Sequence, residues 1–285
     1  MHPPILILGV PRSGTSLTAQ LVHAWGAYSG EMRELHKADE WNKAGYYEHL
    51  SVCALIKRML DGHLVPTDSR FEVFEEPARE LVRSMMKACP SDRPWFWKVP
   101  EMTPLFPFWK QRVEEVTGTS PICIVVLRNP ANSAHSQKRY FEQKALKAEA
   151  PDFPFGHALM VWQYYMAFLL NNTDPDRTIY VSMEDLLSHE QAVMRLENFL
   201  DQTYGCNGTA VMASIPQEAL VNQRDNDLTL LTPKQRELYT ILQRQTQSPT
   251  LPDGIWPSLM PTADECGEIQ AIEQWVAGKV AAKVG

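Results

Sequence analysis

The sequence predicts an α/β fold: a mainly parallel sheet flanked by helices, with a helical extension at the C-terminal end. Two observations carry this. The runs Ile5-Leu6-Ile7-Leu8 and PICIVVL at 121–127 are short and continuously apolar, as strands buried on both faces of a parallel sheet are. Helical periodicity then alternates with these and two weaker strand signals. The chain has 285 residues, 44% hydrophobic and 21% charged, which excludes a disordered chain, a fibre or a coiled-coil rod. No internal repeat, low-complexity block or linker divides it, so one domain is expected over 1–285, with a core at 1–204 and an extension at 205–285.

The elements follow in order. The first strand ends at Gly9, and after a turn Leu17, Leu21 and Ala24 share one helix face. Residues 29–48 are polar and irregular and read as a loop or lid. Helical patterns cover about 49–60 and 75–88, and Trp95-Phe96-Trp97 after Pro94 reads as a short strand. The strand at 121–127 leads to a helix expected to begin near Asn132, a good N-cap residue. A further helix covers about 156–171, with Trp162, Tyr164, Tyr165 and Phe168 as core aromatics. A fourth strand covers 178–181, and a helix covers about 189–200, where Ser188-x-x-Gln191 matches a capping box. Beyond 205 a helix near 233–246 and a last one at 263–282 follow, with Ile269, Ile272, Trp275 and Val276 packing onto the core.

Charge and cysteine usage narrow the function. Lys plus Arg number 27 against 34 Asp plus Glu, a formal net charge of −7, which argues against a general nucleic-acid binder but not against a local seat for a small anion. No apolar run approaches the ~20 residues of a membrane span. The start MHPPILILGV has no basic n-region, so a cytoplasmic chain is expected. The five cysteines are widely spaced with no CxxC pair, which predicts reduced thiols, no disulfide framework and no zinc site. The sequons at Asn171 and Asn207 read as chance matches. No clustered metal ligands are visible in the sequence.

The segment Gly9-Val10-Pro11-Arg12-Ser13-Gly14-Thr15-Ser16 places its glycines where the phosphate loop G-x-x-x-x-G-K-[ST] has them, between a strand and a helix. Such a loop turns backbone N–H groups and the positive end of a helix toward an anion. Thr15 stands where the nucleoside-triphosphate lysine would be, and Arg12 supplies cationic charge from another direction. Arg128 follows the strand at 121–127, and its guanidinium suits bidentate phosphate binding. Ser136, with Ser133 on the same helix face, is expected to offer a hydroxyl to the same anion. Gly9, Lys98 and Arg128 each lie at the carboxyl end of a predicted strand, the rim where open parallel sheets bind ligands.

PRSGTSL at 11–17 resembles the 5′-phosphosulfate loop of the sulfotransferase family, in its bacterial and tyrosylprotein branch. Arg128 with Ser136, in LRNPANSAHS, resembles the family's 3′-phosphate pair. WFWKVP at 95–100 is similar to a strand ending in Lys-Asp-Pro, with Val99 in place of the acid, and YVSMEDLL at 180–187 to the family's strand followed by Glu-Asp-Leu. The likeness covers about residues 5–190. It implies a sulfotransferase using 3′-phosphoadenosine 5′-phosphosulfate (PAPS), whose product is adenosine 3′,5′-bisphosphate, acting without a metal on a hydroxyl or amine of a small-molecule acceptor. It implies donor contacts by Arg12, Ser13, Gly14, Thr15, Ser16 and Leu17, and by Arg128 and Ser136, with Arg224 in Asn222-Gln223-Arg224 joining the 3′-phosphate. Arg12 and Lys98 would act on the transferring group. Gly30-Glu31-Met32-Arg33 resembles the loop that carries the catalytic glutamate, which makes Glu31 the first candidate base, with Glu48 and His36 as alternatives; Trp41, Tyr46 and Tyr47 would line the pocket. A P-loop kinase of a small metabolite and a non-catalytic PAPS-binding module are the competing readings.

Overall fold

The structure, a computed structural model, describes residues 2–40, 42–43, 45–61, 63–66, 70–145, 155–205, 227–247 and 257–272. Four parallel strands form one sheet in the order β2-β1-β3-β4: β1 Ile5–Gly9, β2 Phe96–Lys98, β3 Ile122–Leu127 and β4 Thr178–Ser182. Parallel pairing sets Ile7 beside Lys98, Gly9 beside Val126 and Leu127 beside Ser182, so all four strands end on one rim. β2 reaches one residue further than the apolar pattern suggests, because Lys98 itself is its last member.

Every residue of β1 and β3 is buried, and the pleat sends alternate side chains to opposite faces. Ile5, Ile7, Ile122, Ile124 and Val126 join one core with α1 Thr15–Trp25 and α8 Glu190–Tyr204. Leu6, Leu8, Val125 and Leu127 join the other with α2 Leu50–Met59, α3 Glu72–Ala88, α4 Phe106–Thr117 and α6 Phe155–Asn172. The expected core aromatics Trp162 and Tyr165 are fully buried there, and Tyr164 stacks on Phe168 at 5.8 Å. From the extension, Leu238 and Leu242 of α9 Pro233–Gln245 and Ile269 of a helix at 263–272 enter the same core. Trp275, Val276 and the rest of the helix expected at 263–282 lie outside the described residues.

Two helix starts differ from the sequence expectation. α5 runs Pro130–Ala145, so Asn132 is already inside it, and Asn129 is the capping residue: its side chain accepts from the Asn132 N–H at 3.2 Å. Ser136 therefore lies nearly two turns in. At the other site a short helix, α7 Met183–Ser188, precedes α8. Ser188 is its last residue and donates to the Glu184 carbonyl, so no Ser188–Gln191 capping box forms; Ser182 caps α7 instead, accepting from the Asp185 N–H at 3.2 Å.

The 3₁₀ segment Pro100–Leu105 after β2 fixes the start of the glycine loop. Thr103, fully buried, donates its hydroxyl to the Gly9 carbonyl and accepts from the Gly9 N–H, both at 3.0 Å. Thr103→Val keeps the shape and leaves both Gly9 groups unpaired. A loss of about 1–3 kcal/mol is expected, read as a lower urea midpoint with unchanged m-value; an unchanged midpoint would show that the clamp is idle.

Candidate functional site

Strand order places β1 and β3 side by side while their connections diverge, β1 toward β2 and β3 toward β4. The rim between them is the switch point where open parallel sheets form a crevice. The segment after β1 fills one wall. Gly9 and Gly14 have φ of 155° and 97°, and a Cβ on Gly14 would lie 2.7 Å from Met183. No side chain caps α1 at Gly14, which leaves the first-turn N–H groups open to a ligand. Ser13 is fully buried, and its Oγ has no hydrogen-bond partner among the described residues.

The segment after β3 fills the other wall. Arg128 is buried, and its Nη1 donates to the Arg12 carbonyl at 2.8 Å. Arg12 takes a left-handed backbone, φ 70°, and points its side chain across the crevice. Its Nε donates to Ser136 Oγ at 3.4 Å, and its guanidinium lies 5.3 Å from the centre of the Tyr140 ring. Ser133 is fully buried on the same helix, with its Oγ unpartnered among the described residues. Burial, then the nearby Arg12 and Arg139, holds Arg128 below the usual guanidinium range, and Glu184 opposes them. Glu184 also accepts from the Asn129 N–H at 3.0 Å, so the Glu-Asp-Leu segment fixes the turn behind Arg128. The structure thus brings Arg12, Ser13, Gly14, Arg128 and Ser136 into one cationic crevice. Arg224 lies outside the described residues.

Lys98 forms a second centre at the edge of the sheet. It is almost wholly buried; its Nζ donates to Ser16 Oγ at 3.0 Å and to Glu48 Oε1 at 2.5 Å, and lies 5.9 Å from the Tyr46 ring centre. Ser16 belongs to the first turn of α1, so this lysine adjoins the same helix end as the glycine loop. Of the candidate bases, Glu48 is the one in contact with Lys98. Glu31 instead sits exposed, accepting from the Tyr28 hydroxyl at 3.4 Å, while the Glu34 carboxylate takes its backbone N–H at 3.3 Å. His36 is exposed and tied to Glu48 through the backbone, N–H to carbonyl at 2.8 Å. Tyr47 packs on the rings of His23 and Phe96, and Trp41 lies outside the described residues.

Glu101 joins this centre unannounced by the sequence. Burial and then the Glu48 charge push its carboxyl up to about 7, against a smaller pull from Lys98. Two carboxylates therefore face one lysine, and Glu101 shares its proton range with neutral solution. The sequence does hold one clue, an acid three residues beyond Lys98 at a strand end, but that spacing is common on any surface turn. The fold also gathers a ligand-like cluster that the wide sequence separation hid: His36, Glu48 and Cys53 offer donor atoms all within 4.8 Å of one another.

Among the described residues no helix is long and apolar enough to cross a membrane, and Cys53, Cys89, Cys123 and Cys266 are free thiols. No curated protein matches the chain. Solved structures similar to it include the sulfotransferase domain from the Synechococcus PCC 7002 olefin synthase, at 18% identity and TM-score 0.46, covering 95% of this chain and 94% of that one. Another is the sulfotransferase domain from the curacin biosynthetic pathway, at 17% identity and TM-score 0.39, covering 97% and 98%. The profile of the sulfotransferase family matches residues 3–204, the whole sheet with both walls of the crevice, and the chain belongs to that family.

Proposed function

We propose that the chain transfers a sulfuryl group from PAPS to a hydroxyl or amine of a small-molecule acceptor. The observation that carries this is the link between the two expected anion seats: Arg128 reaches the Arg12 carbonyl at 2.8 Å, and Arg12 reaches Ser136 at 3.4 Å. Two cationic seats on one crevice suit one doubly phosphorylated adenosine. Ser13, Gly14, Thr15, Ser16 and Leu17 would hold the 5′-phosphosulfate through their backbone and hydroxyl groups. Arg128, Ser136 and Ser133 would hold the 3′-phosphate, with Arg224 expected there too. The unpartnered, buried Ser13 and Ser133 hydroxyls support this assignment, because buried polar groups ordinarily find a partner.

In the reaction the acceptor oxygen or nitrogen bonds to sulfur while the bond from sulfur to the bridging phosphate oxygen breaks. The acceptor's proton leaves to a base, and negative charge gathers on the phosphate. Lys98 and Arg12 are the cations that would meet that charge, which is stronger in the transition state than before it. We assign the base to Glu48 rather than Glu31, on its contact with Lys98. A proton arriving on Glu48 weakens its hold on Lys98, and the released ammonium charge then serves the leaving group. Base and electrostatic stabiliser are thereby linked through one ion pair. Burial pushes the Glu101 carboxyl up to about 7, so near neutrality part of its population is neutral beside the Glu48–Lys98 pair.

Arg128→Ala is expected to weaken adenosine 3′,5′-bisphosphate by tens of fold, from the loss of ~2–3 kcal/mol of charged hydrogen bonds, while 5′-AMP changes little. Calorimetric titration checks this, and equal losses for both ligands would remove the 3′-phosphate role. Titration of ATP on the same protein should give the weaker binding; a preference for ATP would overturn the donor.

Glu48→Gln should cut turnover by roughly 10²–10⁴-fold with bisphosphate affinity nearly intact, and Glu31→Gln should keep most of it. The reverse pattern in sulfate-transfer rates would return the role to Glu31.

A carboxyl raised by folding favours the folded state fully below its unfolded value and loses that advantage as pH climbs through the folded one. Glu101 should therefore drain stability between about pH 4.5 and 7. Urea midpoints taken at both ends of that interval should fall for the wild type relative to Glu101→Gln. Parallel behaviour of the two proteins would show that Glu101 titrates normally.

A further inference from the structure

We propose that His36, Glu48 and Cys53 form a Zn²⁺ site that switches off the proposed transferase by taking Glu48 away from Lys98. The switch rests on the sulfotransferase reading; the site does not. The three side chains offer an imidazole nitrogen, a carboxylate oxygen and a sulfur, all within 4.8 Å of one another. Zinc bonds of about 2.0–2.3 Å in a tetrahedron place such donors about 3.3–3.8 Å apart. The cluster thus needs a closure of about 1 Å, which the exposed His36 side chain can supply by turning inward.

The backbone already holds the three residues in place. Leu35 and His49 form an antiparallel bridge, and the His36 N–H donates to the Glu48 carbonyl at 2.8 Å. The Cys53 N–H donates to the His49 carbonyl at 2.9 Å, tying the first turn of α2 to the same strip. The donor set is that of a borderline-soft cation: imidazole and thiolate select zinc over magnesium or calcium. One neutral imidazole, one carboxylate and one thiolate balance the double charge of Zn²⁺, and a water can fill the fourth position.

Burial, with the Glu48 and Glu101 charges, pushes the Cys53 thiol well above its usual range, so the free site holds S–H. Zinc forms the S–Zn bond as that proton leaves to solvent, with no change of oxidation state. Competition at Glu48 is equally direct. Its Oε1 now accepts from Lys98 at 2.5 Å, and a divalent cation against the same carboxylate repels the ammonium. Zinc on Glu48 draws off the carboxylate's electron density, which makes it a poorer base for the acceptor's proton and loosens its hold on Lys98. Access comes from solvent through His36, the exposed member of the three.

ZnCl₂ titrated calorimetrically into the full chain should bind with one ion per molecule, and Cys53→Ser and His36→Ala should each weaken it at least tenfold, the scale on which even outer-shell partners act. Co²⁺ in place of zinc should give a thiolate-to-metal absorption band that Cys53→Ser abolishes. Binding that both variants leave unchanged, or no stoichiometric binding, overturns the site. In the turnover assay zinc should inhibit the wild type at least tenfold and a chelator should restore it, while Cys53→Ser should work at the wild-type rate and resist zinc. A filled site with full turnover overturns the switch. If the chain shows no sulfuryl transfer at all, the titration and the cobalt band still decide the site, so the two failures are separate.

Discussion

The contact from Arg128 to the Arg12 carbonyl is the constraint around which the crevice is organised. It ties the end of β3 to the loop after β1 and closes the rim at the switch point. It also holds Arg12, a non-glycine residue, in a left-handed conformation that costs roughly 1–2 kcal/mol on its own. Arg128 is buried, with Arg12 and Arg139 near enough to disfavour its charge and Glu184 opposing them. The Thr103 clamp on Gly9 and the Glu184 bond to the Asn129 N–H supply the rigidity that keeps the cations from relaxing apart.

Lys98 states the same principle with the signs reversed. An ammonium almost wholly removed from water needs partners, and Ser16 and Glu48 provide them. A buried pair of this kind is a weak source of stability, because desolvation offsets most of the attraction. Its value lies in register: it fixes a carboxylate beside the end of α1, where the glycine loop presents its N–H groups. Glu101 adds a second acid whose carboxyl burial pushes up to about 7, so it holds a proton part of the time near neutrality.

The sheet was legible because buried parallel strands announce themselves as continuous apolar runs. Ile5–Gly9 and Ile122–Leu127 could have been little else. Local polar chemistry was less legible. Asn132 and Ser188 are good capping types, yet Asn129 and Ser182 do the capping, since the turns after β3 and β4 fix where each helix can begin. The residues that meet in the crevice were readable in part because their spacing within one segment is itself the signal. The partners of Lys98 were not. Glu48 meets it only through the path of the 29–49 segment, set by the Leu35–His49 bridge and by Tyr28 pairing with Trp95 beside β2. No period or motif encodes a meeting of that kind.

That edge pairing has a consequence for specificity. β2 is the outer strand of the sheet, and Tyr28 takes its free backbone: the Phe96 N–H donates to the Tyr28 carbonyl at 2.9 Å, and the Tyr28 N–H to the Pro94 carbonyl at 2.8 Å. The polar segment that follows is thereby anchored at its start by Tyr28 and at its end by α2, and between these points it carries Tyr46 over Lys98. On the proposed reading, the donor seats would belong to the rigid sheet and its helices, while the wall facing the acceptor would come from this tethered segment. Changes within it can alter what is accepted, or whether Glu48 is available, without disturbing the crevice between β1 and β3. On that reading, separation of a fixed donor site from a replaceable acceptor wall would follow from placing Lys98 on an edge strand rather than in the middle of the sheet.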